Sequence, residues 1–186
     1  MTKHKYTICL DMNGVLLARY YVNDPTRPSR EPDYRIKNHH IYIRPGFKKF
    51  INVLLHNFNV GIWSSVRKDN LDTLCKSIFS REQLNRFLFV LDGSYCTIIP
   101  NEDSQAKGVA KGTKKPIMLK ETKKLCEMYG INQAHLVLVD DSEYKAALNM
   151  GGISIHPSSY TGDINDKALC KNGEIYKVIM NLLKTV

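Results

Sequence analysis

Several things are scarce in this chain, and each scarcity excludes a class. The five cysteines are odd in number, scattered at positions 9, 75, 96, 126 and 170, and form no C-x-x-C pair. That usage excludes a disulfide framework, argues against structural zinc, and suits a reducing compartment. No apolar run approaches the roughly 18 residues that a membrane helix needs. The stretch before Asp11 holds too few apolar residues for the core of a signal peptide. A soluble protein of the cytoplasm or nucleus, with no membrane partner, is therefore expected. His39-His40 has no cysteine or carboxylate at ligand spacing, so both rings are expected in solvent. No internal repeat and no linker divides the chain. Acids are scarce too: 18 Asp+Glu face 27 Lys+Arg, a formal charge of +9. Such a balance implies acidic partners or, more blandly, a solubility charge.

With 186 residues the chain suits one domain. A globule of this size buries about 70% of its unfolded surface and needs no covalent staple. The 43% hydrophobic and 24% charged content excludes wholesale disorder. Apolar periodicity then predicts alternating strands and helices. Strands are expected at Tyr6–Leu10, Ile41–Ile43, Asn59–Trp63, Phe87–Leu91, His135–Val139 and Ile153–His156. Helices are expected at Phe47–Phe58, Asp69–Phe79, Ile117–Tyr129, Ser142–Met150 and Glu174–Leu183. Residues 20–40, with Pro25, Pro28 and Pro32, read as a loop or flap, and 92–116 as a long irregular, lysine-rich segment. The fold class this implies is a single Rossmann-like α/β domain over residues 1–186. Its parallel central sheet is flanked by helices and carries no large cap domain.

Ligands of open α/β sheets sit beyond the carboxyl ends of the strands. Three predicted strands end there in polar groups: Asp11-Met12-Asn13-Gly14, Ser64-Ser65 and Asp140-Asp141. Lys120 lies on the helix expected to feed the third of them. Clustered carboxylates repel and need a cation, and oxygen donors without histidine or cysteine point to Mg²⁺. A hydroxyl at Ser64 and an ammonium at Lys120 would hold phosphate oxygens. A carboxylate beside metal and phosphate can act as a nucleophile, which makes phosphoryl transfer the expected reaction class. Taken singly, each residue has a plainer role: a turn or helix cap for the aspartates and Ser64, a solvated side chain for Lys120.

The ordered set of motifs resembles the haloacid-dehalogenase superfamily, in its small-CTD-phosphatase or NLI-interacting-factor-like branch. The residues that carry the resemblance are Leu10-Asp11-Met12-Asn13-Gly14-Val15-Leu16, Arg44-Pro45-Gly46-Phe47, Gly61-Ile62-Trp63-Ser64-Ser65, Lys115-Pro116-Ile117-Met118-Leu119-Lys120 and Val137-Leu138-Val139-Asp140-Asp141-Ser142-Glu143-Tyr144-Lys145-Ala146. Ile155-His156-Pro157 and Tyr160-Thr161-Gly162-Asp163 extend it towards the end of the chain. The resemblance implies that Asp11 is the nucleophile and a Mg²⁺ ligand, with Asn13 (through its carbonyl), Asp140 and Asp141 completing the metal set. It implies catalytic or phosphate-binding roles for Ser64 and Lys120. Ser65, Trp63 and Arg44 are further expected substrate contacts.

One position departs from the family's D-x-D pattern: Asn13 stands where the second aspartate is expected. An amide cannot shuttle the proton that the leaving oxygen takes up, and losing a general acid/base costs on the order of 10²–10⁴-fold. Asn13 is compatible with an engineered trap, a slow enzyme, or a binding module that keeps the fold without turnover. Asn13-Gly14 is also a deamidation-prone dipeptide, and conversion would restore D-x-D. Seven lysines between 107 and 124 lead into Lys120 and could draw in a phosphorylated polymer. The expected partner is a phosphorylated protein segment carrying phosphoserine or phosphothreonine. A nucleic-acid end and a catalytically weak phosphopeptide scaffold are the alternatives. Flap residues Tyr20, Tyr21, Tyr34, Arg27, Arg30 and Arg35 are candidates to shape the substrate groove. Oligomeric state is not legible.

Overall fold

The computed structural model describes residues 4–99 and 116–185. Lys107, Lys111, Lys114 and Lys115 of the lysine-rich stretch lie outside the described residues.

Five short strands form a parallel sheet. They are β1 (Thr7–Leu10), β5 (Asn59–Trp63), β6 (Phe89–Leu91), β9 (Leu136–Val139) and β10 (Ile153–Ile155), in the order β10-β9-β1-β5-β6. The apolar runs of β1, β5 and β9 are buried on both faces, as parallel strands require, while β10 and Val90 of β6, at the two edges, are partly exposed. Ile8 and Leu10 of β1 face one core with Phe50, Ile51 and Leu54. Cys9 faces another with Trp63, Leu125, Leu136 and Leu138. Period-2 alternation thus places a helical layer on each side of the sheet.

Helix α1 (Phe47–Asn57) buries Phe47, Phe50, Ile51, Leu54 and Leu55, the stripe expected from the sequence. Gly46, just before it, has φ 87°, and a Cβ there would lie 2.9 Å from the Cys170 amide nitrogen. Helix α2 (Lys68–Ile78) follows β5 and buries Leu71, Leu74, Cys75 and Ile78. Helix α3 (Arg81–Arg86) was not expected from periodicity. It is short and buries none of its residues, and it starts on a capping box between Ser80 and Gln83.

Three expectations need correction. Residues 20–40 are only partly loop. Strands β2 (Leu17–Tyr21), β3 (Tyr34–Ile36) and β4 (His39–Ile43) make an antiparallel sheet in the order β2-β4-β3. The three prolines fall in the connection between β2 and β3, where no ladder needs their missing N–H. Second, Ile117–Tyr129 is not one helix. After Pro116, the strand β8 (Ile117–Leu119) pairs with β7 (Thr97–Ile99), and only Thr122–Tyr129 is helical (α4). Burial of Ile117 and Leu119 at strand spacing outweighs their helix propensity. Lys120 therefore sits in the link between β8 and α4, not on a helix. Third, Ser142–Met150 forms only a 3₁₀ turn at Glu143–Ala146. Two side chains work against a helix here. Lys145 turns inward, and Asn149 accepts from the Thr122 amide and donates to the Lys120 carbonyl. The closing helix α5 (Glu174–Asn181) packs Ile175 and Ile179 into the first core.

Candidate active site

The register of the central sheet assembles the site. Leu10 lies level with Ile62 on one side and Val139 on the other. The next residues therefore emerge together at the carboxyl edge. The Asp11 amide donates to the Val139 carbonyl at 2.9 Å and the Ser64 amide to the Leu91 carbonyl at 2.9 Å. Asp11, Ser64 and Asp140 are all buried. Two aspartates 129 residues apart in sequence thus become neighbours at adjacent strand ends.

Two lysines close a ring with them. Lys120 Nζ lies 3.0 Å from Asp11 Oδ1 and 2.5 Å from Asp140 Oδ2. Lys145 Nζ lies 3.2 Å from Asp11 Oδ2 and 3.0 Å from Asp140 Oδ1. Burial pushes the Asp11 carboxyl up, but the two ammonium groups outweigh it and hold the pKa below the ordinary range. The same contest runs in reverse on the lysines. Burial pulls both down, and the two aspartates hold both above the usual lysine value. Asp11 and the two lysines therefore stay ionised together. Asp140 also accepts from the Ser142 amide, and its carbonyl meets His156 Nδ1.

Asp141 stands beside this ring, half-buried. Burial raises its pKa, and the nearby carboxylates of Asp11 and Asp140 add to the rise, against a hydrogen bond with Ser159 and the Lys145 ammonium. Gly14 makes room for it: φ is 84°, and a Cβ would fall 2.2 Å from Asp141 Oδ2. Asp11, Asp140 and Asp141 each offer a carboxylate oxygen within 4.8 Å of the others. Three hard oxygen donors in that space fit Mg²⁺, which takes carboxylates and keeps several waters.

Above the ring lies a polar cavity of about 360 Å³, floored by Asp11 and walled by Asn13, Ser64, Ser65, Asp141, Ser142 and Lys145. Val66, with Arg19, Tyr21, Asp24 and His39 of the β2–β4 flap, completes the wall. His39 stacks on Tyr21 with ring centroids 4.4 Å apart, and His40 is buried, so neither ring is simply solvated. Of the flap side chains expected to shape the groove, Tyr21 does so. Arg35 pairs with Glu31, and Arg30 binds Asp33 and the Gly162 carbonyl.

Three expected contacts lie elsewhere. Trp63 is fully buried in the second core and does not line the cavity. Arg44 is 2% exposed and committed to other groups. Its Nε and Nη2 hold the two carboxylate oxygens of Asp166 at 2.9 Å each, and its other bonds go to the carbonyls of Gly14, Val15 and Ser158. Lys120 lies behind the carboxylates and does not line the cavity. Asn13 reaches the cavity, with its Oδ1 accepting from the Arg19 amide at 2.9 Å. Lys145 was missed as a site residue. In the helix expected at Ser142–Met150 it reads as an ordinary solvated lysine. Nothing in its spacing signals that it turns inward.

A family model for the NLI interacting factor-like phosphatases matches residues 6–186. No curated protein matches significantly in sequence. Among solved structures, a variant of the fission yeast RNA polymerase II CTD phosphatase Fcp1 bound to beryllium fluoride aligns with a TM-score of 0.51 and 16% identity. That alignment covers 97% of this chain and 52% of that one, so the chain spans about half the length of the yeast protein. A haloacid-dehalogenase-superfamily hydrolase from Geobacter sulfurreducens aligns with a TM-score of 0.56 and 12% identity, covering 98% of this chain and all of that one (100%). The N-terminal part of a Bacteroides fragilis protein, containing a phosphatase domain and complexed with Mg, aligns at a TM-score of 0.54 and 12% identity, over 97% of this chain and 41% of that one. These likenesses show a shared α/β fold, and the family match spans the strand ends that build the site: the chain belongs to the NLI interacting factor-like phosphatases.

Proposed function

We propose that the chain is a Mg²⁺-dependent phosphatase for phosphoserine or phosphothreonine in a protein segment, working through an aspartyl-phosphate on Asp11. The observation that carries this reading is the ionised Asp11 carboxylate on the floor of a polar cavity, beside the Ser64 hydroxyl. An oxygen of Asp11 attacks phosphorus and the ester P–O bond breaks. The departing oxygen takes a proton from water. Water then attacks the aspartyl-phosphate, releasing inorganic phosphate and the free carboxylate. Ser64 and Ser65 offer hydroxyls to the phosphoryl oxygens. Lys120 fixes the orientation of Asp11 from behind. Asp11, Asp140, Asp141 and the Asn13 carbonyl would hold Mg²⁺, which when bound neutralises charge on the phosphoryl oxygens.

The positive balance of the chain and the likeness to a CTD phosphatase support a phosphoprotein substrate. Asn13 favours a second reading, a phosphopeptide-binding protein with little turnover, because an amide supplies no proton to the leaving group.

Turnover of an aryl phosphate with Mg²⁺ decides between them. The native chain is expected to be slow. Asn13→Asp is expected to raise the rate by at least about tenfold. Aspartate keeps the acceptor oxygen that the Arg19 amide uses, so the fold is retained. Asp11→Asn is expected to abolish turnover in either background. Phosphopeptide binding by the native chain with turnover no higher than that of Asp11→Asn would establish the second reading instead.

A further inference from the structure

We propose that Lys145 is a resident cation of the Asp11–Asp140 pair and competes with a divalent metal for their oxygens. The inference rests on the Mg²⁺ reading above and concerns how the same site is regulated. Its basis is an inventory of four carboxylate oxygens. Lys120 takes Asp11 Oδ1 and Asp140 Oδ2, and Lys145 takes Asp11 Oδ2 and Asp140 Oδ1. Between them the two ammonium groups engage every oxygen of the pair.

The two lysines are not equivalent. Lys120 is fully buried behind the carboxylates, while Lys145 reaches the cavity wall from the side a ligand would enter. The Lys145 backbone is pinned: its amide donates to the Ser142 carbonyl at 3.0 Å and its carbonyl accepts from the Lys120 amide at 2.7 Å. Its flexible four-carbon stem is the part free to move. A metal taking Asp11 and Asp140 on the cavity side needs the oxygens that Lys145 holds.

The charge count points the same way. Asp11, Asp140 and Asp141 bring three negative charges, and the lysines bring two positive ones. A divalent ion added to this buried set leaves a net positive charge, whereas without Lys145 it leaves none. Low-dielectric surroundings make that difference large. Lys145 therefore lowers metal affinity, and its release from the carboxylates accompanies metal binding.

Mn²⁺ alone is the probe, with its binding followed by titration calorimetry and by the loss of the free-ion electron paramagnetic resonance signal. Neither readout requires catalysis. Lys145→Met is expected to bind Mn²⁺ at least about tenfold more tightly than the native chain, one decade being the shift from a modest change in local charge. Lys145→Arg keeps the charge and is expected to bind as weakly as the native chain. Lys145→Gln serves as a second neutral variant should the methionine substitution fail to fold. Equal affinity in the native and neutral chains overturns the competition while leaving the Mg²⁺ reading intact. Absence of Mn²⁺ binding by every variant at millimolar ion overturns both. Tight binding by the arginine variant would also overturn the proposal, because it would make side-chain shape rather than charge the controlling property.

Discussion

Replacing Arg44 with methionine is expected to destabilise the protein strongly while leaving substrate affinity in the folded fraction unchanged. The guanidinium is 2% exposed. It forms a bidentate pair with Asp166 and donates at 3.2 Å to each of the Gly14, Val15 and Ser158 carbonyls. It also lies 5.3 Å from the centroid of the Tyr160 ring. One side chain thus ties the loop after the proposed nucleophile to the segment after β10. Burial would raise the Asp166 pKa, but Arg44 overrides it and holds the carboxyl below its ordinary value. Breaking a buried pair by removing one partner costs about 3–5 kcal/mol. Asp166 is 20% exposed, so water relieves part of the loss and the lower end, about 3 kcal/mol, applies. In a protein of this length each kcal/mol moves Tm by about 2–4 °C, so a fall of about 6–12 °C is expected. Arg44→Lys is expected to recover little of it, because a point charge cannot replace the planar fork. Thermal unfolding by circular dichroism reads the stability. KM for an aryl phosphate, measured below the transition, reads the site. A Tm within about 2 °C of native, together with a severalfold rise in KM, would refute the clamp and restore Arg44 as a substrate contact.

Other expectations follow from the same geometry. Asp11 and Asp166 both titrate below the ordinary value of 3.8, so each contributes stability that is complete above that value and lost as pH falls through the lower folded-state value. Asp141, raised by burial, opposes them only in part. The urea midpoint should therefore hold between about pH 6 and pH 5 and drop below about pH 4; a midpoint that rises on acidification would contradict the sign. Burial pushes the Cys75 thiol up to about 12, and Cys9 and Cys96 are buried with it. A thiol reagent at neutral pH should label Cys126 and Cys170 in the native protein and all five cysteines only in denaturant; native labelling of Cys75 would mean that the α2 face opens. Asn13 should deamidate slowly while folded, because the Gly14 nitrogen that must attack its amide is held to the Leu17 carbonyl at 2.8 Å. Peptide mass spectrometry of aged native and urea-treated samples checks this, and equal conversion in both would refute it.

The sequence announced the central sheet because its parallel strands are continuous apolar runs that stop abruptly at polar residues. Thr7–Leu10 ending at Asp11 and Leu136–Val139 ending at Asp140 are both of this kind. The α1 stripe was equally plain, since six apolar positions at helical spacing have one arrangement that buries them. The flap was harder. Leu17–Tyr21 and His39–Ile43 mix polar and aromatic residues, and their pairing depends on a partner some twenty residues away. The prolines between them obscured the strands on either side. At Ile117–Leu119, three apolar residues inside a lysine-rich stretch fit either period, and only the pairing with Thr97–Ile99 decides for strand.

The site was legible where its residues end strands and obscure where they come from turns. Strand register carries Asp11, Ser64 and Asp140 to one edge, so their positions follow from the runs before them. Lys145 depends instead on a 3₁₀ turn held by Asn149 and the Lys120 backbone, contacts between parts of the chain that no local pattern links. Its inward turn changes what the net charge means. Of 27 basic and 18 acidic residues, two lysines and three aspartates are consumed in a buried cluster, which leaves 25 against 15 outside it. The surface is thus more basic than the total suggests, yet the cluster itself carries one net negative charge. A phosphate monoester of about −2 charge meets attraction at long range and repulsion at the floor of the cavity. Only added positive charge at that floor, or protonation of Asp141, removes the conflict, and Asp141 is the carboxyl whose pKa burial already raises. Substrate affinity should therefore rise as divalent ion is added, and binding of a phosphate monoester that does not depend on divalent ion would refute the charge argument.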